Sequence, residues 1–167
     1  MPNPGGYALV LESMIISPKL ACTFSRVLIN SDSIINILYH DTLEKLGVAE
    51  SNLMPSRTIF HGIVPGYAGS SMGQVRLDIL FGSKDNYRHE TVTFEVVNHS
   101  SAYHAILRRP ALAKFMAVPH YAYLKLKMLG PHRIITITGD YKRCMACASD
   151  GQRWPNSWRC RTMPTSK

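Results

Sequence analysis

Residues 26–38 read RVLINSDSIINIL, and the reading of this stretch decides the fold. Arg26 to Ile29 has the apolar run of a strand. Asn30, Ser31, Asp32 and Ser33 then break it, and a second apolar run begins at Ile34. A strand that ends in a small polar turn is a common way to place a carboxylate at the centre of a cleft, since rigid elements hold such groups better than free loops do. Here the first turn residue is an amide.

Strands dominate on both sides of that turn. Upstream, YALVLE (7–12) and KLACTF (19–24) are short apolar runs. Downstream, RTIFHGI (57–63) enters the Gly/Pro-rich stretch GIVPGYAGSSMG (62–73). QVRLDILF (74–81) then alternates, with Val75, Leu77, Ile79 and Phe81 on one side and Arg76 and Asp78 on the other. TVTFEVV (91–97), YLKLKM (123–128) and RIITITG (133–139) repeat the pattern. Period-two alternation bounded by Gly, Pro, Asn and Ser predicts half-buried antiparallel strands. Two short helices are predicted. DTLEKLG (41–47) has Asp41 as N-cap and Gly47 as stop, and PALAKFMA (110–117) has Pro110 in its first turn and Leu112, Phe115 and Met116 on one face. The expectation is an all-β domain, a closed barrel or a sandwich, with two small helices.

Composition fits that picture. The 167 residues are 46% hydrophobic and 18% charged, as in a folded chain with room for one core. No apolar run approaches the ~18–20 residues that cross a bilayer. The N-terminus lacks the pattern of a secretory signal, so a cytoplasmic or nuclear, non-secreted, non-membrane protein is expected. Net charge is +8, and residues 140–167 carry half of it. Residues 1–148 are read as one domain and 149–167 as a basic, disordered tail. Trp154 and Trp158 among those basic groups suit single-stranded nucleic acid; a solvated tail without a partner is the plainer alternative.

The remaining motifs leave alternatives open. The segment 62–73 is either an ordinary loop or the tip of a mobile hairpin over a cleft. Arg108 and Arg109 stand where a helix begins, which suits an anion or a solvated surface, although positive charge opposes the helix dipole there. Cys22, Cys144, Cys147 and Cys160 read as free thiols in a reducing compartment. A zinc site from Cys144, Cys147, Cys160 and His132 lacks regular spacing, so no metal and no cofactor is expected. There is no Gly-x-Ser-x-Gly elbow.

A polar turn after a strand, a Gly/Pro-rich hairpin and the apolar strand AIL (105–107) entering a helix occur in this order. With GGYALVL, FSRVLI, INILYHDTLEKLG, PSRTIFHGIVPG, SAYHAIL, RPALAKFMAVPHYAYLKLKM and ITITGDYK, they extend over about residues 5–150. The chain resembles the retropepsin-like aspartic protease region of plant Gypsy-type LTR retrotransposon polyproteins. The tail beyond about residue 150 departs from that family. The resemblance implies a small closed β-barrel that works as a homodimer on a peptide or polyprotein substrate. Each protomer would supply one Asp, and the two carboxylates would share a proton and activate water.

Carried over by position, the resemblance puts the catalytic motif on Asn30, Ser31 and Asp32. It puts the flap on about residues 63–70, with Ile63, Val64, Pro65 and Gly66 facing substrate. Arg108 falls on a glycine beside the active-site loop. The departures lie where the chemistry is. Asn30 cannot ionise, Asp32 replaces a glycine that the family's turn uses for its backbone geometry, and Arg108 adds bulk and charge. Asp32 lies two residues from the position of the missing base. The implied outcome is a pseudoenzyme, a degenerate copy without peptidase activity. A weakly active endopeptidase that processes its own polyprotein, and a non-catalytic dimerisation or nucleic-acid-binding module, are the alternatives.

Overall fold

The computed structural model describes residues 8–64, 67–140, 142, 144 and 158–162. Strand β1 (Leu9–Ile16) turns through Ser17, where the Ser17 N–H and Oγ–H both donate to the Leu20 carbonyl, and returns as β2 (Leu20–Ile29). The two apolar runs 19–24 and 26–29 are thus one strand. Its register against β1 slips between Leu11 and Ser13, so Ser25 and Arg26 together face Glu12. Such a bulge lets neighbouring residues lose their strict alternation, and Phe24 to Val27 are all buried.

The polar turn follows, then β3 (Ile37–Tyr39) and α1 (His40–Lys45). Tyr39, not Asp41, occupies the N-cap of α1. Asp41 sits in the first turn, where its charge complements the helix dipole. Gly47 ends the helix at φ +72, a conformation that favours glycine. A hairpin of β4 (Ile59–Val64) and β5 (Tyr67–Ser70) leads to the long pair β6 (Gly73–Ser83) and β7 (Asn86–Val97). Then come β8 (Ala105–Leu107) and α2 (Arg109–Phe115). Leu112 and Phe115 of α2 are buried as expected. Met116 is not, because it takes the left-handed C-cap at φ 49 and points its side chain into solvent. Strands β9 (Val118–His120), β10 (Lys125–Leu129) and β11 (Ile134–Thr138) form a small separate sheet.

Six strands close in the order β1-β6-β7-β3-β8-β2 and back to β1. The barrel is not wholly antiparallel: β3 runs parallel to β7, and β2 parallel to β8. Closure pairs most of the strand edges and encloses Leu9, Leu11, Phe24, Leu77, Ile79, Phe81, Val92 and Phe94. A second cluster of Ile37, Tyr39, Phe60, Val97 and Ile106 packs the root of the β4–β5 hairpin against the barrel wall.

The C-terminal region differs from expectation in two ways. Trp158–Thr162 form β12, antiparallel to residues 20–24 of β2, instead of lying disordered. That register sets Cys160 opposite Cys22, and the two form a disulfide; they are not free thiols. Cys160 is thereby removed from the cysteine set weighed for zinc. Cys144 keeps a buried free thiol, while Cys147, Trp154 and the 148/149 boundary lie outside the described residues. Among the described residues, no helix is long and apolar enough to cross a membrane.

Candidate functional site

The turn is built by the strands on either side of it. Ile29, the last residue of β2, pairs with Leu107 of β8, and Asn30 continues the contact by donating its N–H to the Leu107 carbonyl at 3.0 Å. The Asn30 Oδ1 then accepts the Asp32 N–H at 2.9 Å. Asn favours such turns because its side chain can bond its own backbone two residues on. Ser31 is held from outside, its Oγ lying 3.2 Å from the Tyr121 hydroxyl. Ser33 fixes the exit: its Oγ accepts the Ile35 N–H, and its carbonyl accepts the N–H of Arg109 at the start of α2.

Asn36 ties the turn to the rest of the barrel. It is buried, its Oδ1 accepts the Arg108 N–H at 2.7 Å, and its Nδ2 donates to the Thr93 carbonyl at 3.2 Å. One amide therefore joins the turn, the β8–α2 junction and β7. Behind it a cleft of about 220 Å³ is lined by Ile35, Asn36, Gln74, Glu95, Pro110 and Lys114, among others.

The sequence-predicted residues come together in part. Asn30, Ser31 and Asp32 form one turn, and the β8–α2 junction carrying Arg108 packs beside it. Asp32 shows no left-handed backbone. Among the described residues only Met116 and Leu124 have positive φ without being glycine. The strain expected from an aspartate at a glycine position is absent, and the Asp32 carboxylate is exposed to solvent. The Arg108 side chain is buried, with 5% of the residue exposed. Burial pulls its guanidinium below the ordinary arginine value, while the Tyr39 hydroxyl and the Asp32 carboxylate act in the opposite direction. The flap stretch forms the β4–β5 hairpin with Val64 paired to Tyr67; Ile63 and Val64 lie on β4, and Pro65 and Gly66 lie outside the described residues.

Two titratable groups near the site were not singled out from sequence. Glu95, on β7, is buried in a ring of donors: Thr58 Oγ1 at 3.0 Å, Gln74 Nε2 at 2.7 Å and Ser71 Oγ at 2.6 Å. Burial alone would raise its pKa, but hydrogen bonds from Ser71, Gln74, Ser56 and Thr58 outweigh it and hold the carboxyl below its ordinary value. Thr58 and Ser71 flank the hairpin, so one carboxylate fastens both of its roots. The signal in the sequence was a glutamate inside the apolar run FEVV. His104, just before β8, accepts the Arg26 N–H at Nδ1 (3.2 Å) and stacks at a tilt on Phe24. Burial, with the charges of Arg26 and Lys45, pushes its pKa down to about 3, so the ring is neutral.

The chemistry available at the motif position follows from these groups. The Asn30 amide can donate and accept hydrogen bonds, but it cannot take a proton from water or hold one for a leaving amine. Asp32 is the carboxylate of the turn, and it points to solvent.

No protein-family model matches the chain, and none of the curated proteins matches it. Among solved structures it is similar to the retroviral protease-like domain of Ddi1 from Leishmania major. Identity is 13%, the alignment covers 77% of this chain and 91% of that one, and the TM-score is 0.48. A likeness this distant carries no weight beside the geometry described above.

Proposed function

We propose that this chain is a retropepsin-like domain that keeps the barrel, turn and flap of an aspartic protease protomer but has lost peptidase chemistry. One observation carries the reading: the turn at the end of β2 is fully formed, yet its first residue is Asn30, whose Oδ1 is spent on the Asp32 N–H. In the proposed homodimer the two facing groups would be amides, and no proton could be shared between them. Exposed Ile34, with 68% of its surface open just past the turn, offers apolar area for a second copy. The resemblance to plant Gypsy-type polyproteins supports a retrotransposon origin.

The test is an endopeptidase assay at mildly acidic pH with a pooled peptide library. The native chain runs beside a version carrying Asn30→Asp, Asp32→Gly and Arg108→Gly. Because Arg108 is buried at a helix start, a second version carries the first two changes alone. We expect silence from the native chain and cleavage by a folded repaired chain. Cleavage by the native chain that an aspartic-protease inhibitor stops would refute the loss of catalysis. A repaired chain that folds, dimerises and stays silent would refute the assignment of the motif to Asn30–Asp32.

A further inference from the structure

A second cleft, of about 400 Å³, lies outside the turn and flap, between the β1–β2 turn, the segment after α1 and one edge of β6. Its sheet edge is incomplete. Gln74 exchanges both main-chain hydrogen bonds with Met54 (2.7 and 2.9 Å), so Gln74 presents its peptide groups away from β7. In an antiparallel strand every second residue faces the same edge, so Arg76 and Asp78 present theirs the same way. Asp78 is paired by Ile16 of β1. Continuing that register would set Pro18 opposite Arg76, but proline has no N–H to give. The chain also turns away there, with the Ser17 N–H donating to the Leu20 carbonyl. One N–H and one C=O, those of Arg76, thus face the cleft with no ladder partner among the described residues.

The walls and charges are equally one-sided. Pro18, Val48 and Ala49 line the cleft with Met54, which stays 54% exposed. Lys19 and Arg76 also line it, and among the described residues no acidic one does. Neither cation has an ion pair among the described residues, whereas Arg88 on β7 and Arg133 between β10 and β11 are matched by Glu90 and Asp85. An unpaired strand edge calls for a peptide backbone. The apolar wall calls for an apolar side chain, and two unmatched cations call for a carboxylate.

We propose that this cleft docks an extended segment of a partner protein in which an apolar side chain stands beside an acidic one, its backbone pairing with Arg76 at the β6 edge. The site is independent of the turn at Asn30, and it does not require peptidase ancestry. Its volume falls in the range of small ligand sites and has room for one apolar side chain with its flanking peptide units.

The experiment uses the full chain, isotopically labelled for amide spectra, and an end-blocked hexapeptide of alternating glutamate and leucine. We expect saturable binding that shifts the Arg76 amide resonance. Arg76→Glu and Lys19→Glu, each shown by thermal melting to remain folded, should weaken Kd by about tenfold or more. Replacing glutamate by lysine in the peptide should abolish binding, and N-methylating its central amides should weaken it strongly. The proposal is overturned if the Glu/Leu peptide does not saturate, or if both charge reversals leave Kd unchanged. It is also overturned if the N-methylated peptide and decanoate bind as well as the parent peptide, since the cleft would then take a small amphiphile.

Discussion

Replacing His104 by asparagine tests how the barrel tolerates acid. The ring is buried, with 3% of the residue exposed, and its pKa is pushed from 6.5 to about 3. The sign follows from comparing the two states. Above pH 6.5 the ring is neutral in both, and the histidine adds no pH dependence. Below 6.5 the unfolded chain binds a proton that the folded chain refuses, so stability is lost as pH falls toward 3. At pH 7 the term is small. At pH 5 the unfolded ring is almost fully protonated and the folded ring is not, which costs about 2 kcal/mol. Each further unit down to about pH 3 costs about 1.4 kcal/mol more.

Asparagine at this position places an oxygen near the site of Nδ1, so the Arg26 N–H keeps an acceptor while the titrating ring is removed. The ring's packing on Phe24 is lost at every pH and lowers stability by about 1–3 kcal/mol throughout. Urea unfolding at pH 7 and pH 5, at fixed ionic strength, separates the two effects. The native chain should lose about 2 kcal/mol more than His104→Asn between these values, since contributions from other groups are common to both chains. Equal losses, or a difference under about 0.5 kcal/mol, would show that the ring is not held neutral by burial. The result also bears on the peptidase assay, because mildly acidic buffers lie inside the window where this histidine weakens the fold.

Glu95→Ala should destabilise the chain by about 2–4 kcal/mol, since hydrogen bonds to a charged group contribute about 1.5–3 kcal/mol each and the carboxylate's burial offsets part of that; urea midpoints, with faster amide exchange at Thr58 and Ser71, are the readout. Reducing the Cys22–Cys160 disulfide, which spans 138 residues, should lower stability by about 2–5 kcal/mol; thermal melting with and without reductant, beside Cys160→Ser, checks it. Asn30→Asp alone should change stability by less than about 1 kcal/mol, because a carboxylate oxygen can accept the Asp32 N–H as the amide does; urea unfolding at pH 7 measures it.

What could be read from the chain depended on how far each interaction reaches. Leu77, Ile79 and Phe81, and Val92, Phe94 and Val96, lie on antiparallel partners with one face inward, so period two appears directly in their sequence. Strand β2 was harder: the bulge at Ser25–Arg26 interrupts the period, and one strand reads as two. β12 was not legible, because the alternation of Trp158 and Cys160 with Arg159 and Arg161 spans only five residues and its partner lies more than a hundred residues away. The same distance hid the Cys22–Cys160 pair. At the site, the turn was legible from its four small polar residues. Its tolerance of Asp32 was not, since only the backbone shows that this position needs no left-handed conformation. Glu95 and Asn36 were missed because a single polar residue in an apolar run announces burial without naming its partners.

On the proposed reading, structure and catalysis would make separable demands at position 30. The turn is shaped by main-chain bonds to Leu107 and Arg109, by Ser33 and Asn36, and by one acceptor oxygen at position 30. An amide supplies that oxygen as well as a carboxylate does. In the proposed dimer it also removes a cost, since two carboxylates facing each other at short range repel unless they share a proton. On the proposed reading, an amide in place of the acid would therefore be neutral or favourable for folding and association while removing the proton chemistry. Arg108 is different. Its side chain is buried at the junction that Asn36 ties to the turn, so replacing it by glycine would leave a cavity. Placing a carboxylate at position 30 should consequently be easy on the fold, and placing a glycine at position 108 should be hard. On the fold alone, Asn30→Asp should be accepted without further change, whereas Arg108→Gly should require compensation around Tyr39 and Asp32, whose hydroxyl and carboxylate act on the guanidinium.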